Sequence, residues 1–254
     1  MQLRIALCQT DIAWEQPARN LARLEPLVAG ADADVVVLPE LFATGFTLDP
    51  APVAEAPGGE VVTALRRWAA QYGKVVAGSV AVAEGGRFFN RMYFVTPDGG
   101  CARYDKRHLF APGGEARNYT PGSDRVVVGY RGFRFLLLVC YDLRFPVWSR
   151  CREDYDAILC CASWPASRRE AWRTLLHARA VENQCYVAGV NRVGDDPSGH
   201  YAGDSLLVDF KGRTLAEAGD REQTLSAAFD ADALAAFRCK FPAWRDADDF
   251  LIRM

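Results

Sequence analysis

Short apolar runs alternate along most of the chain with longer stretches that carry an apolar residue every three or four positions, a pattern that predicts strands alternating with helices. The first run spans 4–8, and 16–29 follows with Leu21, Leu24, Leu27 and Val28 at helical spacing. A second run at 35–38 completes a β-α-β start, which implies a parallel pair joined by a crossover helix. A helix over 61–72, with Gly73 at its C-terminal cap position, leads into a strand at 75–78. Residues 91–95 and 101–104, separated by Pro97-Asp98-Gly99-Gly100, predict a hairpin, so antiparallel pairs join the parallel ones. An irregular segment at 111–124 precedes paired strands at 125–128 and 133–139, with a helical turn expected around 142–148. Beyond these come a buried strand at 157–162, a long helix at 168–183, strands at 186–190, 205–209 and 224–229, and a last helix at 231–239. The segment 194–204, rich in Gly and Asp, reads as a loop. No solenoid period and no linker interrupts the series, so one domain over 1–254 is expected, α/β in class with mixed sheets.

Several of these strands run directly into chemically able residues. In LLLVCYDLRFP (136–146) four apolar residues deliver Cys140 to a strand end, where ligands gather in open α/β sheets. A sharp bend after Val139 would aim backbone N–H groups at the sulfur, favouring a thiolate or holding an oxyanion. Free cysteine is also a common buried hydrophobe, so position alone leaves both readings open. VVVLPELFATGF (35–46) delivers Glu40 in the same manner, and YDKRHLF (104–110) offers Lys106 among aromatic residues. The 157–162 run ends in Ser163-Trp164-Pro165, a third strand end facing the same pocket. By themselves, Glu40 could be a surface acid after a turn and Lys106 a solvated cation.

Composition narrows the function classes. Half of the 254 residues are hydrophobic and 24% charged, a globular balance. A net charge of −2 supplies no basic field for nucleic acid or anionic lipid. The eight cysteines show no CxxC spacing and the three histidines no ligand spacing, so neither a disulfide framework nor a metal or other cofactor is expected. Without a charged start followed by an apolar segment, the chain reads as a cytoplasmic protein with reduced thiols and no membrane partner. A cysteine nucleophile usually pairs with histidine, yet His108, His177 and His200 lie in no such pattern, and Val139-Cys140-Tyr141 lacks the flanking glycines of a nucleophile elbow.

Strand-end Glu40, Lys106 among aromatics and strand-end Cys140, in that order, resemble the nitrilase superfamily of carbon–nitrogen hydrolases over nearly the whole chain. The resemblance implies a four-layer αββα sandwich with a Glu-Lys-Cys triad and a homodimer built on helices flanking the nucleophile strand. It implies acyl transfer from nitrogen to water, with Glu40 as base, Cys140 as nucleophile, and Lys106 and the Tyr141 backbone N–H meeting the oxyanion. Glu115, in GGEARNYTPG (113–122), matches the second glutamate of the family.

Where many branches carry Glu after CYDLRFP, this chain has Val147. With NRVG (191–194), ARAVENQ (178–184) and FPAWRDAD (241–248), that departure is similar to the bacterial ω-amidase group, which acts on α-ketoglutaramate and related ω-monoamides. A small-molecule amide is therefore the expected partner. Phe46 and Trp164 would line a short cleft, and Arg117 or Arg168 would read a distal carboxylate. Arg144 and Arg179 read as ion-pair partners of buried carboxylates. Another amidase branch, acting on aliphatic amides or N-carbamoyl substrates, is the nearest alternative. A non-catalytic or thiol redox-sensing protein on the same fold would not need the three residues together.

Overall fold

The computed structural model describes residues 1–252 and contains two six-stranded sheets packed face to face between helices, a four-layer αββα sandwich. The first half of the chain supplies β1 (Gln2–Gln9), α1 (Pro17–Gly30), β2 (Val35–Val37), α2 (Glu60–Tyr72), β3 (Val75–Glu84), β4 (Arg87–Val95) and β5 (Cys101–Asp105). The second supplies β6 (Val127–Tyr130), β7 (Phe133–Val139), α3 (Pro146–Ser149), β8 (Ala157–Ala162), α4 (Arg169–Asn183), β9 (Tyr186–Asn191), β10 (Val193–Asp196), β11 (Gly199–Ala202), β12 (Leu206–Val208), β13 (Thr214–Glu217), β14 (Gln223–Asp230) and α5 (Ala231–Lys240). Strand order is β14-β1-β2-β3-β4-β5 in one sheet and β13-β12-β9-β8-β7-β6 in the other. Each centre is parallel (β1-β2-β3 and β7-β8-β9) and each flank antiparallel.

The two-residue period of the strands builds the layers. In β1, Leu3, Ile5 and Leu7 point between the sheets into the core that Phe135 and Leu137 of β7 enter from the other side, while Ala6 and Cys8 face outward to Leu21, Leu24 and Trp68 of α1 and α2. On the opposite face Trp172, Leu176 and Ala180 of α4 cover the second sheet. Gly189 of β9 permits that approach, since a Cβ there would lie 2.5 Å from Leu176 Cδ2.

Several elements depart from the sequence pattern, among them the edge strand β13, which had no predicted counterpart. β3 continues to Glu84 and folds back on β4 through Gly85 and Gly86, whose φ angles of 58° and 74° suit a tight hairpin. Small residues such as Ser79, Ala81 and Ala83 gave that stretch too little apolar contrast to read. The Gly- and Asp-rich segment contains the β10-β11 hairpin, held by Arg192, which is fully buried and pairs with Asp196 (2.8 Å) and Asp11 (3.0 Å). Among the described residues no helix is long and apolar enough to cross a membrane.

Candidate active site

β2, β5, β7 and β8 all end at one edge of the sandwich, because the central strands are parallel and β5 returns to their direction through β4. Glu40 follows β2, Lys106 follows β5, Cys140 follows β7 and Ser163 follows β8. The chain bends sharply at Cys140, whose φ of 47° lies in the left-handed region, and Leu41 after the acid has φ 46°. Side chains seldom adopt this conformation, and about 1–3 kcal/mol of strain is typical at such positions. The Leu41 N–H is satisfied by Ser79 Oγ at 2.9 Å. Cys140 opens a 3-10 turn, Cys140–Arg144, that runs into α3, so the expected single helical turn is two short ones.

Glu40 is fully buried. Its Oε1 accepts from Lys106 Nζ at 2.9 Å and Asn90 Nδ2 at 2.8 Å, and its Oε2 from the Ser163 N–H at 2.8 Å. Lys106 also donates to both oxygens of buried Glu115, at 3.0 and 2.8 Å, and lies 5.2 Å from the centre of the Phe46 ring. The Cys140 Sγ lies 4.0 Å from the Ser163 carbonyl oxygen. Thus Glu40, Lys106, Glu115 and Cys140, remote in sequence, form one cluster.

Burial works against the Lys106 ammonium, yet Glu115, Glu40 and the thiol together hold its pKa well above the ordinary lysine range. It is a permanent cation. For Cys140 the balance falls the other way: burial and the charge of Glu40 push the thiol well above its usual range, against the pull of Lys106. A dry setting with a carboxylate beside the sulfur thus works against the thiolate that the bend at Val139 favours. An arrangement of thiol, adjacent carboxylate and fixed ammonium can move a proton off sulfur as a carbonyl carbon is attacked, with the ammonium next to the charge that develops. Tyr141 is the second residue of the 3-10 turn, where N–H groups have no acceptor within the helix.

A cleft with about 490 Å³ of free space opens over Cys140 and Lys106. Phe46, Tyr141 and Trp164 form walls, with Tyr201 of the β10-β11 hairpin. Arg168 lines it with its guanidinium 4.8 Å from the Phe110 ring. Arg117 does not: it is exposed on the 3-10 turn Glu115–Arg117. Arg144, expected to pair a buried carboxylate, instead lines the cleft 5.0 Å from the Trp164 ring. Among the described residues no acid lines the cleft, and neither Arg144 nor Arg168 makes an ion pair. Arg179 pairs with Glu182 and donates to the Leu143 carbonyl, bracing the nucleophile turn.

Asn90 and Asp142 carry no sequence signal of their own. Buried Asp142 accepts from Val139 N, Tyr104 Oη and His108 N, and its Oδ1 lies 2.8 Å from His108 Nδ1, tying the lysine loop to the nucleophile turn. His177 and His200 approach only Gly212 O and Asp195, away from the sulfur. All eight cysteines are free, and no cluster of three or more His, Cys, Asp or Glu side chains fit to hold a metal occurs among the described residues.

A carbon–nitrogen hydrolase family model matches residues 4–238. Over 98% of both chains the sequence is 46% identical to the omega-amidase YafV of Yersinia enterocolitica. It is 36% identical to the 2-oxoglutaramate amidase of Bacillus subtilis, over 97% of this chain and 98% of that protein. A solved structure of a carbon–nitrogen hydrolase superfamily protein from Xanthomonas campestris, with an arsenic adduct in its active site, superimposes with a TM-score of 0.97 at 42% identity and complete coverage of both chains.

Proposed function

The chain belongs to the carbon–nitrogen hydrolase family, and on that premise we propose that it is an amidase releasing ammonia from a small ω-monoamide of the 2-oxoglutaramate type. The observation that carries the substrate class is the cleft itself, with two guanidiniums, Arg144 and Arg168, no acid among its lining residues, and Cys140 at its floor. Guanidinium donors suit a carboxylate at the far end of a short acyl chain. The amidases of Yersinia and Bacillus to which the chain is similar support the same reading.

In this reading Cys140 Sγ attacks the amide carbon as Glu40 takes the thiol proton. The oxyanion is met by Lys106 Nζ and the Tyr141 N–H, while Glu115 holds the lysine in register. The C–N bond breaks as Glu40 returns the proton to nitrogen, releasing ammonia and leaving a thioester. Water then attacks, Glu40 takes its proton, and collapse of the second tetrahedral species breaks the C–S bond and restores the thiol. Ring walls at Phe46 and Trp164 limit the acyl chain to a short one. An α-ammonium beside a guanidinium is repelled, so the keto acid is preferred over glutamine.

The assembly proposed is a homodimer joined across α3 and α4, whose Val147 and Val181 are more than half exposed at 54% and 55%. Sedimentation showing monomers at micromolar concentration would contradict it. With eight free cysteines, a reducing cytoplasmic setting is the location proposed. The deciding assay measures ammonia release from 2-oxoglutaramate, glutamine and an uncharged amide of equal length. Equal kcat/KM for the keto acid and the uncharged amide would remove the carboxylate-reading site and leave an amidase of another branch.

A further inference from the structure

The donors around the two buried glutamates can be assigned oxygen by oxygen, and the count is unequal. Glu115 Oε1 accepts from Lys106 Nζ (3.0 Å) and Asn90 Nδ2 (3.3 Å), and its Oε2 from Lys106 Nζ (2.8 Å) and the Phe110 N–H (2.6 Å). Glu40 Oε1 is filled in the same way, by Lys106 (2.9 Å) and Asn90 (2.8 Å), whereas Oε2 accepts only the Ser163 N–H at 2.8 Å. A carboxylate offers about four acceptor positions. The pair of acids therefore keeps one open position, on Glu40 Oε2, beside the residue whose carbonyl faces the Cys140 sulfur.

We propose that Asn90 is a positioning residue that closes Oε1 of both glutamates, so that every proton moved in the reaction passes through Oε2 of Glu40 and none through Glu115. The thiol proton goes to this oxygen as the S–C bond forms and leaves with nitrogen as C–N breaks. A proton of the attacking water follows the same route and returns to sulfur as C–S breaks. The inference rests on the Glu40-Lys106-Cys140 amidase reading. Asn90 is suited to the role on three further counts. It is fully buried in β4 and does not line the cleft, so it touches no substrate. Its backbone carbonyl accepts the Lys106 backbone N–H at 2.9 Å, so the strand that carries the amide also fixes the lysine backbone. Its Oδ1 is buried with no partner, an arrangement that is destabilising in itself. Turning the amide over to relieve it would set Oδ1 against two carboxylate oxygens, so the two acids hold the amide in this orientation.

The test compares wild type with Asn90→Leu, which keeps the bulk and loses the donors, and Asn90→Ser, which keeps one shorter donor. The titratable groups coupled to Glu40 are Lys106, Glu115, Cys140, Cys160, Cys161, Tyr119 and Tyr201, all retained in both variants. Donors to a carboxylate favour its ionised form, so Asn90→Leu is expected to move the acidic limb of the kcat/KM profile up by about one pH unit. It should also lower kcat about 10- to 100-fold with KM unchanged within about twofold, and Asn90→Ser should fall between. Rates are referred to the alkylatable Cys140 thiol, so a structural defect that only reduces the active fraction leaves both quantities unmoved. An acidic limb within about 0.2 unit of wild type, with kcat per thiol within about twofold, overturns the proposal. If Asn90→Leu does not fold, Asn90→Ser decides by the same criteria. Should wild type release ammonia from no amide, the amidase reading fails separately. The pH dependence of Cys140 alkylation by iodoacetamide then decides for Asn90, a shifted profile in Asn90→Ser supporting it and an unshifted one overturning it.

Discussion

The floor of the cleft and its mouth are built on opposite principles. At the floor Lys106, Glu40 and Glu115 are fully buried, and nearly every donor and acceptor they carry is engaged within the protein. At the mouth Arg144 and Arg168 rest on aromatic rings with no acidic partner among the described residues. Polar groups already satisfied need no reorganisation during a reaction, which suits them to stabilising a transition state. Donors without a protein partner are free to hold a ligand. The difference predicts that damage at the floor lowers kcat for every amide, whereas damage at the mouth raises KM for acids alone.

The largest effect is expected at the sulfur. Cys140→Ala should lower turnover by roughly 10⁴ or more with the fold intact, because Cys140 is the one thiol among the cleft's lining residues and the hydroxyl of Ser163, beside Glu40, is engaged with the Glu40 backbone carbonyl. Residual activity above about a tenth of wild type would remove Cys140 from the mechanism. Next comes Lys106→Met, expected to cost roughly 10²–10³ in kcat for charged and uncharged amides alike, the scale of one lost oxyanion donor. It also removes the charge that opposes the upward push on the thiol. Iodoacetamide alkylation of Cys140 should therefore shift to still higher pH in this variant, since a neutral neighbour no longer favours the thiolate. An unshifted alkylation profile with unchanged turnover would make Lys106 a structural cation only.

At the mouth the effect is smaller and selective. Losing a charge-assisted hydrogen bond is worth about 1.5–3 kcal/mol, so Arg144→Ala should raise KM for 2-oxoglutaramate by roughly 10- to 100-fold. An uncharged amide of the same length should be affected by less than about twofold. Arg168, which also lines a groove beside the β10-β11 hairpin, should behave in the same sense and more weakly. A parallel loss for both substrates would place these arginines among the structural supports and erase the contrast between floor and mouth.

How far each region could be read from sequence follows from the same contrast. Glu40 and Cys140 each end an apolar run, and such runs become buried parallel strands whose ends share one edge of the sheet. Lys106 was legible from its aromatic surroundings and from the family motif. Asn90 was not, because β4 was read only from residue 91 and an amide inside a strand has no period or spacing that distinguishes it. Arg144 was read as an ion-pair partner because cations near buried strands usually find an acid; the tertiary fold supplies a tryptophan ring instead. The β10-β11 hairpin was hidden because its ladder is short and its buried members, Val193, Tyr201 and Ala202, sit only at its open end, with Arg192 just before β10 stacked 4.4 Å from the Tyr201 ring.

The smallest expected effect concerns Arg117, which sequence proximity to Glu115 suggested as the carboxylate reader. A 3-10 turn has about three residues per turn, so side chains two positions apart project to well-separated faces. Glu115 uses the inward face of Glu115–Arg117 to reach Lys106, and this leaves Arg117 exposed to solvent, where it makes no ion pair among the described residues. Its charge lies outside the cleft lining, and solvent and salt weaken it further at any distance beyond about 10 Å. Arg117→Ala should accordingly leave kcat/KM for 2-oxoglutaramate within about twofold of wild type and leave stability within about 0.5 kcal/mol. A rise in KM as large as that of Arg144→Ala, seen for the acid and not for the uncharged amide, would mean that the 111–124 segment closes over bound substrate and brings Arg117 to the carboxylate.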